Sequence, residues 1–267
     1  MSSLVAGYDA LILDLDGCVY VGDEATVGAP EALEALREAG KGVVFVTNDP
    51  RHAVEDYVRK LWRLGVRAAV GDVVTVGAAL QHLLAESRPG QGAFVIGTEA
   101  LRRHVSDAGL VVLNGRPEAD RADVVVVAGT DQLSYADLRS AALSVRAGAD
   151  FIAAGRDSTY PMPDGLWPGT GAILAAVEYA TDRRAEIVGK PEPALFRTAL
   201  DRLGPGRVLA VGDRLDADVA AADRAGLDAV LVLTGATSAE EAASAGEPRP
   251  VAVAASLGAL VGVANLP

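Results

Sequence analysis

The chain has 267 residues, enough to bury an ample core and to form one large domain or two modest ones. Half the residues are hydrophobic but only 4% are aromatic, so the core is built mainly from Val, Leu, Ala and Ile, a mix suited to a parallel sheet covered by helices. The formal charge of −12, from 36 acidic and 24 basic residues, disfavours nucleic acid and anionic membranes as partners and obliges any anion site to bring its own cations.

The single cysteine, Cys18, rules out an internal disulfide or a cysteine-cluster metal site, and it reads as a small buried hydrophobe in a reducing compartment. No basic flank followed by an apolar segment opens the chain, and no apolar run approaches the length that crosses a bilayer. The expected location is the cytoplasm.

In chain order, short apolar runs alternate with helical patterns. Residues 10–13 predict a strand ending in Asp14-Leu15-Asp16-Gly17. A helix follows over 30–39, with Pro30 in its first turn and Gly40 at its stop. A strand at 42–46 runs into Thr47-Asn48, and 53–64 is helical, with Trp62 placed on its apolar stripe and so in the core. Strands at 93–96, 123–127 and 151–154 alternate with helices at 99–108 and 135–146, the latter opened by a Ser134/Asp137 capping box. Residues 156–171, dense in Gly, Pro and Asp, predict a long loop of the kind that carries function. The final third predicts strands at 187–188, 208–211 and 229–233 with helices at 195–203 and 219–225. Such alternation implies parallel sheets with right-handed crossovers. Nothing marks a clean cut between two domains, so any second domain is an insertion.

Four stretches carry chemistry, each where a strand gives way to a loop, the place where open α/β sheets bind ligands. Asp14 and Asp16 stand two apart, so a continuing strand projects both carboxylates from one face, at a cost unless a cation or proton is shared. Thr47-Asn48 can hold phosphate oxygens, although Thr-Asn after a strand is also ordinary turn chemistry. Lys190, in Gly189-Lys190-Pro191, can neutralise a phosphoryl group as a point charge, or be an exposed loop lysine. Asp213, Asp216 and Asp218 after the 208–211 strand offer oxygen ligands to a hard cation, with Asp216 also placed to cap the following helix. His52, His82 and His104 show no ligand spacing and read as helix-surface residues, while Trp167 either lines a substrate pocket or simply packs.

The order of these stretches, D-x-D-G, T-N, K-P and G-D-x-x-x-x-D, each after an apolar strand, resembles the haloacid dehalogenase superfamily of aspartate-nucleophile phosphatases, and within it the NagD-like branch. DLDGCVY, FVTN, GTGAILAAVE, VGKP and VGDRLDADV carry the resemblance almost end to end.

The resemblance implies an α/β fold, a Rossmann-like parallel-sheet core of residues 1–74 and 182–267 with an inserted smaller α/β cap domain at 75–181. It implies a magnesium-dependent hydrolase of small phosphorylated metabolites. Asp14 would be the nucleophile and a metal ligand, and Asp16 the general acid/base, giving its backbone carbonyl to the metal. Thr47, Asn48 and Lys190 would hold phosphate. Asp213 would ligate the metal, with Asp218 in support. The chain departs from the family pattern at Asp49-Pro50 and at Gly155-Arg156-Asp157, so Arg156, Asp157 and Trp167 are candidate substrate-loop residues rather than transferable ones. The alternatives are a phosphotransferase or mutase using the same aspartyl-phosphate, and a catalytically silent phospho-ligand-binding protein. A homodimer through the cap is expected as a further possibility. A signalling receiver fits poorly because its acceptor follows a middle strand, and no G-x-G-x-x-G supports a dinucleotide enzyme.

Overall fold

A strand with aliphatic side chains on both faces needs cover on both faces. Ala10–Asp14 is such a strand up to its last residue, and it is buried along its whole length. The computed structural model, which describes residues 1–162 and 165–263, places it inside a six-stranded sheet. The strand order is Ala252–Ala254, Asp228–Val232, Val208–Gly212, Ala10–Asp14, Gly42–Thr47, Val73–Thr75. Ala10–Asp14 runs parallel to both neighbours, with Leu13 opposite Val211 on one side and Phe45 on the other. From this first strand the chain builds outward through Gly42–Thr47 and later returns to build the other side from Val208–Gly212. The two halves therefore diverge between Ala10–Asp14 and Val208–Gly212, a topological switch point whose carboxyl end is a natural ligand crevice.

The core on this sheet joins Leu11, Leu13, Phe45, Leu209 and Val211 to Leu33 and Leu36 of the helix Ala29–Glu38 and to Tyr57 and Leu61 of the helix Val54–Arg63. Gly28 enters the first of these helices at φ +72°, with Pro30 in its first turn.

The chain divides into two compact units. One holds Met1–Thr47, Val54–Val74 and Lys190–Pro267; the other holds Asn48–Ala53 and Thr75–Gly189. The second unit has its own five-stranded sheet, in the order Glu186–Ile187, Asp150–Ala153, Val124–Val127, Gly92–Ile96, Val111–Val112, with every neighbouring pair parallel. Phe94, Val125, Val127 and Phe151 pack there on Val145, Ile173, Leu174 and Val177.

Most expected strands and helices appear within a residue or two of their predicted bounds. Several expectations fail for identifiable reasons. Residues 156–171 are not one loop: Thr159–Met162 pairs antiparallel with Gly165–Pro168, and the helix Thr170–Thr181 starts immediately after. Pro161 and Pro168 suit a two-stranded hairpin with free edges, so breaker residues there do not forbid pairing. Positions 163 and 164 of this segment lie outside the described residues.

Trp62 is exposed, not core. The buried stripe of its helix is Tyr57 and Leu61, and the Trp62 indole N–H instead donates to the Ala68 carbonyl at 2.8 Å. His52 precedes its helix instead of lying on it. The helix expected at 219–225 is entered through a wide turn over Leu215–Val219 and is regular over Ala220–Arg224. The helix Val76–Ser87 and the edge strands Val73–Thr75 and Ala252–Ala254 were not foreseen, being short or lacking a clear period.

Phe45, fully buried on the central sheet, and Trp62 should therefore respond differently to substitution. Phe45→Ala should cost about 3–5 kcal/mol by urea unfolding, whereas Trp62→Phe, which removes one hydrogen bond, should cost about 1 kcal/mol.

Candidate active site

The ladder stops at Asp14, and the chain turns at once. The Leu15 carbonyl accepts from the amides of Val19 and Tyr20 at 2.9 and 3.2 Å, and Gly17 sits at φ +84° with its amide on the Tyr20 carbonyl. Because the strand has ended, pleat alternation does not carry to Asp16. Asp14 is buried, and Asp16 is exposed in the turn, where its Oδ2 accepts from the Tyr20 hydroxyl at 3.4 Å. The expectation that both carboxylates project from one strand face is corrected accordingly.

Asp14 is instead grouped with residues from far along the chain. Asp213 follows the strand Val208–Gly212, and Asp218 lies in the Leu215–Val219 turn. One carboxylate oxygen from each of Asp14, Asp213 and Asp218 falls within 4.8 Å of the other two, and all three residues are buried. Lys190, only 4% exposed, donates from Nζ to Asp14 Oδ1 and, at 2.7 Å, to Asp218 Oδ1. The second Asp218 oxygen accepts from the Arg214 amide at 3.0 Å, and Asp213 Oδ2 accepts from the Ala236 amide at 2.5 Å. Asp216 plays no capping part: it is exposed and pairs with the Arg214 guanidinium at 3.0 Å, while the Asp218 and Val219 amides donate to the Arg214 carbonyl.

Glycines make room for this crowding. A Cβ at Gly17 would stand 2.4 Å from Asp213 Oδ2, one at Gly235 2.0 Å from the same atom, and one at Gly212 2.2 Å from Asp218 Cγ. Any side chain at these positions would push the carboxylates out of place.

The electrostatics follow from burial. Desolvation pushes the Asp14 carboxyl well above its ordinary range; Lys190 pulls against it, and the neighbouring Asp218 and Asp213 push further. Asp213 is raised to about 6 by burial and by Asp218, against the Ala236 amide and Lys190. Burial alone would lower Lys190, but Asp14 and Asp218 outweigh it and hold the ammonium charged. Three carboxylates against one ammonium leave two formal negative charges in a dry site. Such a set of hard oxygen donors, short of positive charge, fits a hard divalent cation.

Thr47 ends the strand beside Ala10–Asp14 and is buried. Asn48, the next residue, belongs to the second compact unit, where its Nδ2 donates to Asp157 Oδ2 at 3.4 Å. Asp49, where the family pattern is not followed, accepts from the Arg51 amide at 2.9 Å and from its guanidinium at 2.7 and 2.9 Å. Burial would raise that carboxyl, but Arg51 holds it below the usual range. Arg156 pairs with Glu178, and Trp167 lies exposed on the hairpin.

Sequence reasoning missed Ala236, which shows no motif, and Glu178, whose signal was legible as a lone acid in the apolar helix Thr170–Thr181. Among the described residues no helix is long and apolar enough to cross a membrane.

Two family models match the chain: haloacid dehalogenase-like hydrolase over residues 11–111 and HAD-hydrolase-like over 187–260. The glycerol phosphate phosphatase from Mycobacterium tuberculosis, solved in complex with magnesium, is similar at 40% identity and a TM-score of 0.89, covering 97% of this chain and 78% of that one. The p-nitrophenyl phosphatase from Archaeoglobus fulgidus is similar at 30% identity and a TM-score of 0.86, over 96% and 98% of the two chains. An acid sugar phosphatase of Staphylococcus aureus is 34% identical over 88% of this chain and 90% of its own length. With both ends of its core matched by the family models and its length matched by phosphatases at these identities, the chain belongs to the haloacid dehalogenase-like hydrolases, on their phosphatase branch.

Proposed function

We propose that this chain hydrolyses small phosphate monoesters of polyols or sugars through a covalent phosphate on Asp14. The observation that carries the reading is the buried meeting of Asp14, Asp213 and Asp218 with Lys190 at the carboxyl end of the sheet. The likeness to glycerol phosphate and acid sugar phosphatases supports the choice of ester.

Asp14 is the nucleophile. Its carboxylate attacks phosphorus in line, and the ester oxygen leaves. Asp16, exposed in the turn and touched by the Tyr20 hydroxyl, gives that oxygen a proton and then takes one from the water that cleaves the aspartyl-phosphate. Thr47, Asn48 and Lys190 hold the phosphate oxygens, with Lys190 countering the charge that the transferring group carries. Magnesium would be held by Asp14, Asp213 and the Asp16 carbonyl, with Asp218 orienting the set. When bound it supplies positive charge that keeps Asp14 ionised and screens the phosphate. The second unit, Thr75–Gly189 with Asn48–Ala53 and so wider than the expected 75–181, serves as a cap that recognises the leaving group. With its acidic net charge, the protein works in the cytoplasm on soluble metabolites rather than on nucleic acid or membranes, and the cap offers a surface for a homodimer.

Asp14→Asn should lower phosphate release from p-nitrophenyl phosphate by more than about a thousandfold with the circular dichroism spectrum unchanged. Retained turnover would sink the nucleophile assignment. Asp16→Asn should slow esters with poor leaving groups by about 10²–10⁴-fold and good ones much less, and equal losses across a leaving-group series would count against the acid role.

The Asp213 carboxyl, raised to about 6, also sets a pH dependence. Between its unfolded value near 4 and its folded value it is protonated only when folded, so its contribution to the stability of the cation-free protein falls as pH rises through that window. A cation must displace the same proton. Magnesium affinity measured by calorimetry should therefore weaken by up to about tenfold per pH unit as pH falls below 6.

A further inference from the structure

Beside the candidate cation site runs a segment that no motif announces. In the six-stranded sheet, Asp228–Val232 lies two strands from Ala10–Asp14, with Val208–Gly212 between them. The chain that leaves Asp228–Val232, residues 233–238, is held at both ends. The Leu233 amide donates to the Ala254 carbonyl at 3.0 Å, and Ser238 caps the helix Ala239–Ala243 by accepting from the Glu241 amide at 3.2 Å.

Between those anchors the segment turns three donors onto the acidic site. The Thr234 hydroxyl donates to the Gly17 carbonyl at 2.5 Å. The Ala236 amide donates to Asp213 Oδ2 at 2.5 Å, and the Thr237 amide to the Asp213 main-chain carbonyl at 3.3 Å. Asp213 is thus fixed at its carboxylate and at its backbone, and Gly235 lets the segment pass where a Cβ would strike that carboxylate. All of these residues belong to the first compact unit.

The Thr234 bond supplies a restraint that the sheet does not. Strand pairing holds Ala10–Asp14 to Val208–Gly212 as far as Leu13 and Val211, and to Gly42–Thr47 as far as Asp14 and Val46. Gly17 lies beyond the last of these pairs, in the turn that carries Asp16. The ladder therefore leaves open how far that turn stands from Asp213. Thr234 closes the gap: it fastens the turn across the carboxyl end of Val208–Gly212, while Ala236 and Thr237 fasten Asp213 from the same segment.

We infer that Thr234 is a positioning residue for the cation: its hydroxyl sets the spacing between the turn that offers the Asp16 carbonyl and the Asp213 carboxylate, so that one hard cation can meet both. The inference rests on the magnesium site assigned above. Magnesium demands near-ideal octahedral geometry at short oxygen distances, so a small error in that spacing costs affinity before it costs the fold. Hydrogen-bonding partners one step removed from a metal typically govern its affinity by about 10–100-fold.

The test is magnesium titration by calorimetry on the full chain without substrate, beside melting temperatures in EDTA. Thr234→Val, nearly the same shape without the hydroxyl, should weaken magnesium binding about tenfold or more, and Thr234→Ser should stay within about threefold of wild type. Thr234→Ala carries the comparison if Thr234→Val does not fold. Ser256→Ala removes a capping hydroxyl from the same unit, whose bond to the Ala259 amide touches neither Gly17 nor Asp213. It should lower the melting temperature and keep the wild-type affinity. Unchanged affinity in Thr234→Val, an equal loss in Ser256→Ala, or a Thr234→Ser affinity as low as that of Thr234→Val would overturn the positioning role. Asp213→Asn tests the site itself and should abolish binding. Wild-type affinity in that variant, or no binding by the wild-type protein, would overturn the magnesium assignment and the inference with it.

Discussion

Like charges buried side by side repel in a medium that screens them poorly, and the arrangement of this chain follows from having to hold three of them together. Asp14, Asp213 and Asp218 share one buried site with a single lysine partner. The strands Ala10–Asp14 and Val208–Gly212 lie on the two sides of the switch point, and all three carboxylates at their ends are buried. Lys190 offsets part of the repulsion, and the amides of Ala236 and Arg214 offset more. The remainder appears as the raised Asp14 and Asp213 carboxyls. A site in that condition favours whatever brings positive charge, which is the requirement of a phosphoryl-transfer centre before its cation and substrate arrive.

The same constraint explains the small residues around the site. Gly17, Gly212 and Gly235 stand where a Cβ would strike Asp213 or Asp218 at 2.5 Å or less, so each marks a place where backbone and carboxylate must nearly touch. Gly17 carries a second burden, because the turn that takes the chain away from Asp14 needs its positive φ. That turn separates the two carboxylates of the first motif. One remains in the buried cluster and the other stands exposed. Two carboxyls two residues apart thereby acquire different environments, the usual physical route to different roles.

Much of this was legible in the residues. Apolar runs ending in Asp14, Thr47 and Gly212-Asp213 announced strands whose carboxyl ends carry chemistry, and strand–helix alternation announced parallel sheets. Three features were not legible, for separate reasons. The fate of Asp16 depended on where hydrogen bonding to the neighbouring strands stops, which is a property of the sheet and not of the D-x-D pattern. The 156–171 segment reads as a loop because proline and glycine break helices and central strands, but a two-stranded hairpin, in which each strand is an edge, tolerates both. Trp62 sits one residue past Leu61 on its helix, and a rotation of about 100° per residue was enough to carry it out of the core stripe. Glu178 was readable as an anomaly, a single acid in an apolar helix, but its two arginine partners lie 22 and 6 residues away and no periodicity links them.

The positions that depart from the family pattern have a common character. Asp49 pairs with Arg51, and Arg156 with Glu178, both within the second unit. Asp14, Asp213, Asp218 and Lys190 meet within the first. Lys190 offsets only part of the charge of the first set, whereas Asp49 and Glu178 in the second each meet arginine. The link between the sets is covalent: Thr47 leads into Asn48 and Gly189 into Lys190. The matched relatives are named for different phosphoesters, and the family models match this chain on either side of the Arg156–Glu178 pair and not across it.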